Sequence, residues 1–228
     1  MDRNTPSLNS VFATNARVGT QGNGDERAFA SFVRSLNHSA NSDFRRSNAF
    51  LSIIIVSDEE DFSSTNSTFS ESYTNPNLRP VSYFVNWLDT FTGSTSANRN
   101  QNYQVNAIYI RDAACLSQLG DSSQKISTRY GEIADTTGGT KSSLCDSFSS
   151  VLNNITNSIL GAAAVFQLER TPIENSIVVR VDGASVPAGS TTWQYESATN
   201  IVRFASSYAQ TLNANSSISI TYDPTTLL

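Results

Sequence analysis

The chain has 228 residues, 38% of them hydrophobic and 10% aromatic, with a formal net charge of −5. That apolar content is enough to bury a core, which speaks against wholesale disorder, and the length suits one large domain or a medium one with a small companion. Fifteen Lys and Arg against twenty Asp and Glu exclude a general hold on phosphate backbones, so nucleic acid is a poor partner, and no run approaches the roughly 20 apolar residues of a membrane span.

Phe29, Phe32, Val33 and Leu36 recur at helical spacing behind Asp25 and Glu26, whose charges favour a helix N-terminus. The run Phe50-Leu51-Ser52-Ile53-Ile54-Ile55-Val56 is too short for a typical helix and rich in β-branched residues. It predicts a strand buried on both faces, as in a parallel sheet. Pro80 opens a second helix, with Val81, Phe84, Val85, Leu88 and Phe91 on one face. Tyr103 to Ile110 reads as a second strand. Ile126, Tyr130, Ile133 and Ala134 mark a third helix that stops at Gly138-Gly139, and Phe148, Val151, Leu152, Ile155 and Ile159 a fourth. Strands and helices in alternation predict a doubly wound α/β sheet over residues 1–161.

The pattern changes at Gly161-Ala162-Ala163-Ala164. Beyond it no helical stripe continues, and short alternating runs take over. Ile177, Val179 and Val181 share a face and end at Asp182-Gly183, a strong hairpin signal. Further strands follow at Trp193-Gln194-Tyr195, Ile201 to Phe204 and Ile218 to Tyr222. Residues 162–228 are therefore expected to form a small antiparallel β unit, marginal alone and packed on the α/β part.

The two cysteines, Cys115 and Cys145, suit a single disulfide in an oxidising compartment, the alternative being two unrelated buried thiols. The one histidine, His38, stands in a polar stretch past the first helix and reads as a surface residue. Without a second histidine or a phosphate-binding loop, the usual nucleophile–base arrangements have no visible members.

The residues with most chemistry follow the first strand: Ser57-Asp58-Glu59-Glu60-Asp61. A parallel strand delivers Asp58 at its carboxyl end, where open α/β sheets bind ligands. Clustered carboxylates and hydroxyls are hard oxygen donors that suit Mg²⁺, Mn²⁺ or Ca²⁺ rather than zinc. A solvated acidic loop that merely ends a strand is the plainer reading. Asp25 and Glu26 carry the same ambiguity between helix cap and ligand.

Three stretches together resemble the von Willebrand factor A (vWA) domains of secreted bacterial proteins. They are Phe12 to Arg27, Phe44 to Asp61, and Arg129-Tyr130-Gly131-Glu132-Ile133-Ala134-Asp135-Thr136-Thr137-Gly138-Gly139. The segment Ile177 to Tyr222 is similar to the β extension that follows such domains. The resemblance spans roughly residues 11–225 and implies a vWA-like sheet with a metal-ion-dependent adhesion site. In it Asp58 matches the acid after the fourth strand. Thr20 and Asp25 are the candidates for the second loop's contribution. The Asp-x-Ser-x-Ser loop that follows the family's first strand, and the first three strands of that fold, have no match. Either residue 1 is an internal start or this version lost its central strand; truncation is the favoured expectation, and with it weak metal binding.

The expected function is a binding module rather than an enzyme. It captures an acidic group on a protein or glycan through Mg²⁺ or Mn²⁺, with Ca²⁺ as an alternative, in an extracellular, periplasmic or cell-surface setting. The alternatives are a metal-dependent hydrolase or phosphotransferase that uses Asp58 or Asp61, and a structural scaffold in which the acidic loop is idle.

Overall fold

The computed structural model describes residues 5–17, 19, 24–44, 49–68, 70–120, 124–212 and 216–226. In chain order these form α1 (Leu8–Ala16), α2 (Ala28–Asn37), β1 (Leu51–Ser57), α3 (Val81–Thr92), the single turn α4 (Arg99–Asn102), β2 (Tyr103–Tyr109), α5 (Ala113–Leu119), α6 (Arg129–Thr137), β3 (Lys141–Ser143) and α7 (Phe148–Ala163). A smaller set follows: β4 (Val165–Gln167), β5 (Val178–Val181), β6 (Ala184–Val186), β7 (Trp193–Glu196), β8 (Ile201–Phe204), α8 (Ser206–Ala209) and β9 (Ile218–Thr221). The molecule is mixed α/β.

The first three strands make one parallel sheet in the order β1-β2-β3, with Leu51 opposite Tyr103 and Ser57 opposite Tyr109. One face of the sheet carries the main core. Phe29 of α2, Phe84 and Leu88 of α3, and Tyr130 and Ile133 of α6 pack there with Leu51, Ile55, Val105 and Ala107. On the other face Val151 and Ile155 of α7 cover Ile108 of β2. All seven residues of β2 are buried.

The strand expected to be buried on both faces is β1, and here the structure differs. Ile54 is 46% exposed and Val56 58%. The reason is position: among the described residues β1 is an outer strand of the sheet, and α7 packs on the central one. Continuous apolar composition marked β1, yet among the described residues it is β2, with Gln104 and Asn106 in its run, that has helices on both faces.

Helix ends follow local chemistry. Pro80 precedes α3, and Gly93 (φ 69°) and Gly138 (φ 70°) close α3 and α6 in the left-handed conformation that a side chain disfavours. Gly139 answers to space instead: a Cβ there would lie 2.0 Å from the Val105 carbonyl oxygen. α6 starts at Arg129, later than the stripe from Ile126 suggested, and Ile126 is exposed. Phe148 and Leu152 also face solvent, so α7 buries only part of its apolar stripe.

The C-terminal strands form two antiparallel sheets, β4-β8-β7 and β6-β5-β9. Asp182 (φ 52°) and Gly183 (φ 83°) make the two-residue turn between β5 and β6 that the sequence signalled. Trp193, Val179, Val202 and Phe204 centre a separate core, and the Trp193 indole donates to the Val186 carbonyl at 2.8 Å. Phe204 N–H bonds the Ala164 carbonyl and Gln210 bonds Asn157, which ties this unit to the end of α7. Cys115 on α5 and Cys145 in the turn after β3 are joined as a disulfide. Among the described residues no helix is long and apolar enough to cross a membrane.

Candidate functional site

The acidic run leaves β1 at the carboxyl end of the parallel sheet, and its members part ways at once. Asp58 is exposed. Its carbonyl accepts the Lys125 N–H at 3.0 Å, and its carboxylate meets the Gln124 amide at 3.4 Å. Glu60 and Asp61, which a solvated acidic loop would expose, are instead 1% and 0% exposed.

Both buried acids are engaged on all sides. The Glu60 carboxylate accepts from Ser127 Oγ (2.6 Å), Tyr73 Oη (2.6 Å), the backbone N–H of Thr128 (2.7 Å) and that of Arg129 (3.3 Å). The Asp61 carboxylate accepts from the Phe29 N–H (2.9 Å), Ser63 Oγ (2.8 Å), the Ser63 N–H (3.0 Å) and the Arg129 guanidinium (3.3 Å). Ser63 Oγ in turn accepts the Ala30 N–H at 3.0 Å. These amides open α6 and α2. Neither helix has a side-chain bond from its own N-cap, Thr128 or Arg27. The caps come instead from the strand loop, and negative charge at a helix N-terminus is favourable. Burial pushes the Asp61 carboxyl above its ordinary value, with the bonds from Phe29 and Ser63 and the charge of Arg129 pulling the other way.

Asp25 is also buried. It does not cap α2; its Oδ2 accepts from Arg27 Nη2 at 2.5 Å and Nε at 3.0 Å. Arg27 reaches on to the carbonyls of Asn66 (2.5 Å) and Thr68 (3.0 Å), so this pair braces the loop beyond the acidic run. Glu26 lies half-buried, and its backbone carbonyl accepts the Phe62 N–H at 2.8 Å. Its carboxyl is pushed up by burial first, and then by the charges of Asp58, Asp61 and Asp25. Thr20 lies outside the described residues.

The structure thus brings Asp25, Glu26, Asp58 and Asp61 to one end of the sheet. Asp25 is paired with Arg27, Asp61 caps α2, and the Asp58 carboxylate meets Gln124. Among the described residues no three His, Cys, Asp or Glu side chains form a group able to enclose a metal ion. His38 is exposed and its Nδ1 accepts the Ala40 N–H, as a surface residue would. Sequence reasoning missed the structural work of Glu60, Ser63, Tyr73 and Arg129. The Asp-x-Ser spacing of Asp61 and Ser63 carried a faint signal, since such pairs bond locally, but nothing marked Glu60. Comparison of the chain with protein-family models, with curated proteins and with solved structures found no match.

Proposed function

We propose that the chain is a ligand-binding module of the vWA type, exported by a bacterium, that captures an acidic group on a protein or glycan through a divalent ion. The observation that carries this reading is the crowding of charge at the carboxyl end of β1. The Glu26 carboxyl is raised by its burial and by three neighbouring acids. A cation placed there relieves repulsion that the fold otherwise bears. The location is also where open α/β sheets bind their ligands.

Asp58 and Glu26 would hold the ion, Mg²⁺ or Mn²⁺ before Ca²⁺. Mg²⁺ in particular is often held by one or two carboxylates with its other positions left to water. When bound, it supplies a positive centre for the partner's carboxylate. The remaining residues hold the frame. Glu60 fixes α6, Asp61 and Ser63 fix α2, and Arg27 neutralises Asp25 and secures residues 66–68. With Asp58 and Glu26 as its carboxylates, the site binds weakly, in the millimolar range known for loose oxygen sites. The disulfide supports an oxidising compartment, whether extracellular, periplasmic or at the cell surface.

Isothermal titration with Mg²⁺ and Mn²⁺ tests the reading. Wild type should show weak saturable binding that Asp58→Asn reduces at least tenfold, as loss of a carboxylate near a metal does. Equal isotherms for the two proteins would contradict it. A second reading, a scaffold with an idle acidic loop, draws support from the burial of Glu60 and Asp61. A wild-type chain that takes up no divalent ion would favour that one.

A further inference from the structure

The C-terminal unit, which has its own core, holds a small cavity where β7 begins and β8 ends. Four hydrogen bonds shape its wall. The Gly189 N–H donates to the Trp193 carbonyl (2.9 Å), the Thr192 N–H to the Gly189 carbonyl (3.0 Å), the Ala205 N–H to the Thr192 carbonyl (2.8 Å), and Thr192 Oγ1 to the Pro187 carbonyl (2.6 Å). They fix residues 187–192 against the two strands. The strand period then sorts the side chains. Trp193 and Phe204 pair across the sheet on the core side, and the next pair, Gln194 and Arg203, stands exposed on the other. Glu196, two residues after Gln194, lies diagonal to Arg203 and accepts from its Nε at 2.5 Å. The guanidinium holds the Glu196 carboxyl below its ordinary value, so it stays an ionised acceptor. Gln194 and Ser190 are exposed, so their polar groups bond water that a ligand can replace.

We propose that this cavity is a subsite for one neutral sugar ring of a glycan. Size, charge and bonding chemistry select that occupant. The volume is about 180 Å³, against roughly 300–1,000 Å³ for drug-sized ligands, so the space suits a single ring or residue. The described lining carries one cation and one anion, already paired with each other. A charged ligand would be drawn to one of them and repelled by the other. An apolar ligand would strip water from Gln194, Ser190 and the ion pair without replacing those bonds.

A sugar's hydroxyls both donate and accept. They match Glu196 as acceptor, the Nη hydrogens of Arg203 as donors and the Gln194 amide as both, while the C–H face of the ring rests on Gly189 and Ala205. The assignment does not rest on the divalent-ion reading, since none of these residues belongs to the acidic end of the parallel sheet.

The test follows backbone amide resonances of the full chain, in EDTA so that no divalent ion takes part. Glucose, galactose, mannose and N-acetylglucosamine are the probes, with glucuronate and glycine as charged counterparts. One ring offers few atoms for contact, so a dissociation constant in the millimolar range is expected. At least one of the neutral sugars should shift Gly189, Ser190, Gln194 and Glu196 saturably. Gln194→Ala should weaken that binding about fivefold, as loss of a hydrogen bond of ordinary net strength does. Unchanged resonances of Val179 and Val202 in the core confirm that the variant folds; Arg203→Ala, with the same expected loss, replaces it if it does not. No saturable shift at these residues with any of the neutral sugars would overturn the proposal, and so would a variant that binds as well as wild type. Tighter binding of glucuronate or glycine than of every neutral sugar would also overturn it and give the cavity to a charged ligand.

Discussion

Asp61 shows how much of this site is decided one residue at a time. It carries a charge at 0% exposure, with Phe29 N–H, Ser63 and Arg129 as its partners. Asp61→Ala removes the cap of α2 and leaves Arg129 short of a partner in a buried setting. Charge-assisted bonds contribute about 1.5–3 kcal/mol each and a lost N-cap about 1 kcal/mol, so chemical denaturation should show a loss of several kcal/mol. Asp58→Ala, exposed and without a cap to lose, should leave stability nearly unchanged. Glu26 makes the opposite case. Its folded-state carboxyl lies above its ordinary value because of burial and then of Asp58, Asp61 and Asp25. The stability it confers is complete below the ordinary carboxylate range and is lost as pH rises through the raised folded value. Glu26→Gln, neutral at every pH, should melt higher than wild type at neutral pH, with the difference gone in acid. A variant that melts lower at neutral pH would contradict that account. Asp58 could be placed from the sequence because a β-branched run fixes where a strand ends. The depth of Glu60 and Asp61 could not. It depends on helices whose amides lie 68 and 32 residues away, and no local pattern reports such a meeting.

Among the elements, the long amphipathic helices and the apolar strands were legible because their periodicities run for several turns or residues. α2, α3 and β2 follow that reading closely. β3 and β4, three residues each, and the single turns α4 and α8 are too short to carry a period, and they form because neighbouring strands and helices offer partners. α1 went unread as well, and it buries none of its residues. The edge position of β1 was invisible for a different reason: composition records apolar surroundings but not how many sides they come from. The disulfide between α5 and the turn after β3 closes a span of 30 residues. In the chain-entropy model that contributes about 3–4 kcal/mol, so reduction should lower the denaturation midpoint accordingly. An unchanged midpoint on reduction would mean that the hydrogen bonds around Asp112 and Ser143 already hold these segments.

For the molecule as a whole, α7 runs on to Ala163, past residue 161, where the sequence changes from helical stripes to alternating strands. The two parts bury separate cores, one on the parallel sheet and one around Trp193 and Phe204. The acids that carry the functional reading all belong to the first. That separation allows a direct measurement. Mn²⁺ broadens the amide resonances of residues near the ion, so a titration followed residue by residue locates it. Broadening should begin at Glu26–Arg27, Asp58–Glu59 and Gln124–Lys125, should spare the strands from β5 to β9, and should disappear in Asp58→Asn. Uniform broadening, or a pattern in Asp58→Asn that matches wild type, would contradict a divalent-ion site at the carboxyl end of β1.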